Sequence, residues 1–346
     1  MPSSFLSDFL AEAKRQDGRG RCLHYDNGER CNNVISAHSI QKHGQLDLIA
    51  EDGHVYRLHM SPNILRKNEG LPVVRKVGIG KVSTFFGFCK AHDNTLFRPI
   101  DTQVLANNPE QVALYAFRSF AREYFVKENQ HAIASKLQNH ADIRDSERSL
   151  IKSVTVGSGF AMERLRWHKS ALDKSLLSHT YTDFEYTYFK SQSPCAIQCS
   201  GVWFPDFDFL GGTLQHINDW ESRLDLMAAF TAPVIDGWAF GFAWHKSSSR
   251  SGRLLMQSLQ QFIKQGGKLE DALLRLTLAC FENHAIRVSW WDTLPPEMQR
   301  AAIAKMSIGI DLNTELPSDY LRVGCNEIAD WSFDLVESSP QLLERN

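Results

Sequence analysis

Apolar residues recur at helical spacing from the start of the chain. Phe5, Phe9, Leu10 and Ala13 share one face, and Ser4 stands where a cap is needed, so a short amphipathic helix is expected over residues 3–16. The period then shortens. Val34-Ile35 open an extended segment ending near His38, a helical turn follows around Leu46–Ile49, and Gly53–Leu58 reads as a strand. Lys76–Gly80 and Ser83–Phe88 are expected to form a further strand pair that runs into Cys89. After Asn107-Asn108-Pro109 the pattern changes to long helices. Pro109 suits a first helical position, and Val112, Tyr115, Ala116, Phe120 and Tyr124 mark one apolar face. A second helix is expected from about Arg144 to Ser178, broken near Gly157-Ser158-Gly159.

Residues 181–245 are strand-like. Cys195–Phe204 and Leu224–Phe230 carry the apolar runs, and Ile235-Asp236-Gly237-Trp238 reads as a hairpin turn into Ala239–Trp244. Residues 252–305 return to helices, interrupted by Asp292-Thr293-Leu294-Pro295-Pro296 and restarting at Glu297. No internal repeat and no low-complexity tract occurs.

Two cysteine and histidine clusters bracket the first hundred residues. The first is Cys22-Leu23-His24-Tyr25-Asp26-Asn27-Gly28-Glu29-Arg30-Cys31, with a turn-rich centre at Asp26-Asn27-Gly28, and the second is Phe88-Cys89-Lys90-Ala91-His92-Asp93. Cys22, Cys31, Cys89 and His92 supply the four ligands of a tetrahedral structural Zn2+. Cys89 and His92 are three apart, close enough to grip one side of a metal from a single turn. The gap between Cys22 and Cys31 is wider than the usual two to four residues of a zinc knuckle. The plain alternative is that these are buried free thiols, as is common for cysteine. That alternative is the better reading for the other four: Cys280 sits inside an apolar helical run, Cys195 and Cys199 have no histidine nearby, and Cys325 also looks structural.

Composition limits the choices. The 346 residues exceed what one core usually serves, so two domains are the prior expectation, and 43% hydrophobic with 23% charged residues describes a folded chain. No apolar run of about 18 residues occurs, so no membrane span is expected, and the first ten residues lack a secretory pattern. Thiols held for a metal favour a reducing compartment, hence the cytoplasm. Charge is uneven: residues 1–100 hold 14 Lys/Arg against 10 Asp/Glu, whereas the remainder holds 24 against 30. Arg15, Arg19, Arg21 and Arg30 crowd the first cluster, and Arg66, Lys67, Arg75, Lys76, Lys81 and Lys90 the second. A basic zinc module of this kind can meet the phosphates of DNA or RNA, although such charges also simply solvate a surface.

This N-terminal layout resembles the zinc-containing branch of the HNH, or ββα-metal, nucleases, which share the treble-clef arrangement. By position Cys22 and Cys31 match the family's first ligand pair, His38 its catalytic histidine, and Cys89 with His92 its second pair. Asp93 falls where the family has the helix histidine that holds a catalytic divalent metal. Three departures stand out: Ala37 precedes His38 where the family has Asp or His, His92 replaces a cysteine, and Asp93 replaces a histidine. The resemblance covers about the first hundred residues. It implies His38 as general base, Asp93 as an oxygen ligand for Mg2+ or Mn2+, and Asn94 as the residue that orients the base.

The expected architecture is therefore α+β: a zinc-organised treble-clef-like module over residues 1–105, a helical connector over 106–180, and a region of antiparallel strands packed with helices over 181–346. The expected function is a zinc-binding, nucleic-acid-interacting protein, an atypical HNH-like metal-dependent nuclease whose C-terminal region senses a ligand or a protein partner. The alternative is a non-catalytic zinc scaffold for protein interaction. Other constellations carry less. Asp206 and Asp208, two apart on an extended chain, point to one side and are a weak candidate for a divalent cation. Ser247–Gly252 reads as a surface turn, and Trp290-Trp291 as a packing plug between helices.

Overall fold

Ser4 accepts the Ser7 backbone N–H at 3.3 Å, and the first helix, α1, runs Phe5–Gly18. In the computed structural model, which describes residues 4–24, 31–308 and 315–343, the remaining elements follow in mixed order. The first part contains β1 (Val34–His38), β2 (His54–His59), α2 (Pro62–Lys67), β3 (Val73–Gly78), β4 (Thr84–Cys89), α3 (Lys90–Leu96) and α4 (Arg98–Asp101). Two long helices come next, α5 (Pro109–Leu137) and α6 (Asp145–Leu177). The strands β5 (Phe184–Ser191), β6 (Ile197–Trp203), β7 (Met227–Val234) and β8 (Gly237–His245) lead into α7 (Ser249–Lys264) and α8 (Leu269–Cys280). The chain closes with β9 (His284–Ile286), α9 (Val288–Thr293), α10 (Pro296–Met306), β10 (Leu335–Ser338) and α11 (Pro340–Leu343). The turn expected at Asp26-Asn27-Gly28 lies outside the described residues. No helix among them is long and apolar enough to cross a membrane.

The fold is mixed α+β, with an eight-stranded antiparallel sheet in the order β10-β5-β8-β7-β6-β9-β2-β3, packed with helices, and a separate pair β1-β4. Strands β6, β7 and β8 are buried along almost their whole length, which explains their near-continuous apolar sequences. The β7–β8 hairpin turns through Ile235-Asp236, with Asp236 at φ 61°. Gly237 is needed there because a Cβ would lie 2.1 Å from the Ser191 carbonyl oxygen.

Helix α5 is the axis of the molecule. Every residue from Gln111 to Arg122 is buried, since the helix packs on the sheet, α1, α4, α6 and β4 at once. The ring of Tyr115 stacks on Phe230 of β7 at 4.8 Å. Phe88 and Phe97 are fully buried and meet Phe117 of α5 at 6.3 and 6.5 Å. Each such phenyl group contributes about 2–3 kcal/mol by burial, so the N-terminal hairpin is anchored to α5 by apolar packing that needs no metal.

Several local expectations are corrected. The segments around Lys76–Gly80 and Ser83–Phe88 are not partners: β3 pairs with β2 and β4 with β1, so the short link Ile79–Lys81 carries the chain between two sheets. The glycines of Gly157-Ser158-Gly159 do not interrupt α6. A single helical glycine costs only about 1 kcal/mol, and these two leave space for the rings of Trp220 and His131, 3.6 and 3.5 Å from their would-be Cβ atoms. Residues 252–305 include a strand, β9, whose three residues are too few to show a period. It bridges β6 to β2, so β2 and β3 lie in the same sheet as the strands of residues 184–338. Ser247–Gly252 is a short helical link and the first turn of α7, with Ser248 and Ser251 buried and Gly252 pressed on Trp244. Trp290 and Trp291 are buried core residues, as expected.

Candidate metal centre and the adjoining polar cleft

The β1–β4 register builds the cluster. Val34 lies opposite Cys89, and Lys90 N–H donates to the Asn33 carbonyl at 3.1 Å, which brings Cys31 to the end of β4. On the other side of β4, Arg21 N–H donates to Phe86 O at 3.0 Å and Leu23 N–H to Gly87 O at 2.8 Å, carrying Cys22 to the same end. Cys89 is the N-cap of α3 and places His92 one turn away. The Sγ atoms of Cys22, Cys31 and Cys89 lie 3.3, 3.2 and 3.4 Å from His92 Nδ1, and all four ligand atoms fall within 4.8 Å of one another.

These separations fit a tetrahedral ion. With metal–sulfur bonds of about 2.3 Å and metal–nitrogen bonds of about 2.0 Å, the sulfur–nitrogen edge of a tetrahedron is about 3.5 Å. Three thiolates and one imidazole form a soft donor set that suits zinc. Electrostatics point the same way. Burial raises the Cys22 thiol, and burial with the two neighbouring thiols pushes Cys31 up to about 12. Burial also penalises the Cys89 thiolate, yet the His92 N–H at 3.4 Å, the other two thiols and the Ala91 N–H outweigh it and lower its pKa. Three thiolates this close need a cation to ionise together. The His24 ring stacks on His92 at 3.8 Å and 9°, fixing the imidazole plane in the manner of an outer support. All seven cysteines are free thiols.

His38 ends β1, opposite Thr84, so the hairpin separates it from the thiols at the Cys89 end. It belongs to a second feature, a group of half-buried and buried polar side chains that all feel the charge of Arg118. Burial lowers the His38 pKa, while a hydrogen bond to the Ile79 backbone favours the protonated ring and the Arg118 charge opposes it. Nε2 is buried with no partner among the described residues, so the Ile79 bond belongs to Nδ1. Asp93, on α3, is raised by burial, with Arg118 lowering and Asp101 raising it, and its Oδ1 is also unpartnered among the described residues. Both residues thus feel Arg118. That guanidinium is 3% exposed, lies 4.0 Å over the Phe97 ring and grips Asp101 with two bonds of 2.7 and 3.0 Å. Gln41 also donates to Asp101. Tyr115 belongs to the same group, its buried hydroxyl unpartnered among the described residues and within reach of the Arg118 charge.

Four of the expected site residues, Cys22, Cys31, Cys89 and His92, converge. His38 and Asp93 face the same arginine but form no third-ligand site: among the described residues, the Cys3His group is the one cluster of three or more such ligands within that distance. The bond that orients His38 comes from Ile79, and Asn94 is exposed on α3. Asp206 and Asp208 are occupied by local structure. Asp206 accepts from Tyr320 Oη at 2.9 Å, and Asp208 Oδ1 takes the Leu210 and Gly212 N–H groups at 2.8 Å. Arg118, Asp101 and Tyr115 had no sequence signal beyond a helical spacing of three between Tyr115 and Arg118. Comparisons with known protein families, curated proteins and solved structures return no match.

Proposed function

We propose that this chain is a zinc-scaffolded, nucleic-acid-interacting protein whose His38 cleft hydrolyses phosphodiesters in the manner of a ββα-metal nuclease. Cys22, Cys31, Cys89 and His92 hold the zinc, which fixes the hairpin and α3. The observation that carries the reading is the pair of unpartnered buried atoms, His38 Nε2 and Asp93 Oδ1, on residues that both feel the charge of one buried arginine. A ring kept neutral by burial, with its other nitrogen held, is suited to take a proton from water. Arg118 meets the charge of the attacked phosphate, and Asp93 offers a hard oxygen for Mg2+ or Mn2+. Free thiols held for a metal suit a reducing compartment, which supports a cytoplasmic location.

One observation favours the non-catalytic scaffold. The Arg118 fork is already engaged by Asp101, as expected of a structural lock. On that reading a protein partner docks elsewhere, and the edge strand β10, with Leu335 and Val336 54% and 55% exposed, is the C-terminal surface that suits it.

The deciding experiment incubates wild type and His38→Ala with labelled single- and double-stranded DNA and RNA in Mg2+ or Mn2+. Wild type is expected to cleave one of them, and His38→Ala to lose about 10²–10⁴-fold in rate while keeping its zinc and its melting temperature. Absence of cleavage by the zinc-loaded wild type, or full activity in the variant, contradicts the nuclease reading.

A further inference from the structure

On β2 and β3, Arg57 stands directly opposite Arg75. Directly opposed like charges destabilise a strand pair. They share a face with His59, whose pKa is lowered by burial and then by Arg75 and Arg57. The charge of Arg57 on that face reaches Arg122 of α5, which is 8% exposed. Its Nε has no hydrogen-bond partner among the described residues, and its Nη1 lies 3.8 Å from Glu123, a carboxylate shared with Lys127 at 3.5 Å. Arg57 and Arg122 feel each other's charge as well as that of Glu282. Three cations (Arg57, Arg122 and Lys127) therefore share two carboxylates, Glu123 and Glu282, and Arg75 adds a further positive charge opposite Arg57.

An arginine cannot shed its proton, and an under-paired buried charge is costly. Side chains placed in this way suit an anion that arrives from outside. Position narrows the anion. Arg122 sits one helical turn from Arg118, so their side chains start about 5–6 Å apart on one face of α5. Arg118 belongs to the His38 cleft. The basic positions then continue to Arg75, exposed on β3 at the sheet edge. A line of guanidinium forks leading away from a cleft matches successive phosphates of one strand.

We propose that Arg57, Arg75 and Arg122 form a phosphate-binding site that holds a nucleic-acid strand alongside the His38 cleft. The strand, though not the phosphate chemistry, rests on the nucleic-acid reading above.

The test uses zinc-loaded full-length protein in Mg2+-free buffer. Binding of labelled duplex DNA and of single-stranded RNA is followed by anisotropy between about 50 and 200 mM salt, for wild type and for Arg57→Gln with Arg122→Gln. The double variant is expected to bind at least ten-fold more weakly. The slope of log affinity against log salt should shrink by about 1.8 on duplex DNA or about 1.4 on single strands, two contacts' worth. Nucleic acid bound with an unchanged slope overturns the site and leaves the nucleic-acid reading intact. If wild type binds neither polymer, that reading fails, and calorimetry with pyrophosphate decides the remainder. Heat in wild type that vanishes in the double variant supports a phosphate site for small molecules and overturns the strand; no heat overturns both. A structural role is separated by Arg122→Met, which should melt no lower than wild type because an under-paired charge has been removed; a large fall in melting temperature contradicts the proposal.

Discussion

Removing the metal should loosen one end of the N-terminal hairpin while the remainder of the fold stays in place. The perturbation is a strong chelator, or Cys89→Ser. Structural zinc supplies about 10–16 kcal/mol in isolated zinc-finger peptides, as much as the whole stability of a typical domain, so a module resting on zinc alone would unfold completely. Here Phe85, Phe88 and Phe97 are 4%, 0% and 0% exposed, packed against α5. Three buried phenyl groups at about 2–3 kcal/mol each retain about 6–9 kcal/mol that the metal does not supply. Loss should therefore concentrate where the metal is the main tie: the Arg21 and Leu23 amides bonded to Phe86 and Gly87, and the Lys90 amide bonded to Asn33. Hydrogen exchange with mass spectrometry reads this directly. Peptides covering residues 20–24 and 31–34 and the start of α3 should lose protection on chelation, while β2, β3 and α5 keep theirs. Uniform loss across the first hundred residues would refute the apolar anchor, and unchanged exchange at the cluster would refute the metal's structural role.

Acid should destabilise the fold in a defined window. Burial, chiefly, holds His168 and His284 at about 4, below the ordinary value of 6.5. The unfolded chain therefore takes up protons first, and stability falls as pH drops from about 6.5 to 4, by about 3 kcal/mol per histidine at the lower end. Denaturant melts of wild type and His284→Gln across this range should show a shallower acid loss in the variant; parallel curves would contradict the assignment. Asp101→Ala leaves the buried Arg118 without its carboxylate. Because Asp101 is one-third exposed, the cost should be about 2 kcal/mol, below the full range for buried pairs, read as a lower melting temperature with zinc content unchanged. Gly201→Ala should cost about 1–3 kcal/mol by the same readout, since its Cβ would lie 2.4 Å from the Phe281 ring.

Much of this architecture was legible where one local period carried the information. The cap at Ser4, the helix opened by Pro109 and the strand into Cys89 follow from residue type and spacing alone. The four residues of the Cys3His cluster were readable as a set because Cys89 and His92 stand at ligand spacing and a second cysteine pair precedes them. Pairing was harder. Nothing in Lys76–Gly80 reveals that its partner is β2, because register depends on contacts far apart in sequence, and the three residues of β9 that join β6 to β2 leave no pattern. The polar cleft was half legible. His38 and Asp93 stood out by type, whereas Arg118 is buried on a helix whose apolar face was the evident feature, and only the fold brings Asp101 and Ile79 to it.

The central claim is the zinc centre, and metal analysis of purified protein tests it most directly. Elemental analysis should find about one zinc per chain, falling to near zero in Cys89→Ser, and Co2+ exchanged into the wild type should show the intense absorption of a tetrahedral thiolate site. Purified protein without zinc whose Cys22, Cys31 and Cys89 react freely with thiol reagents in the folded state would contradict it.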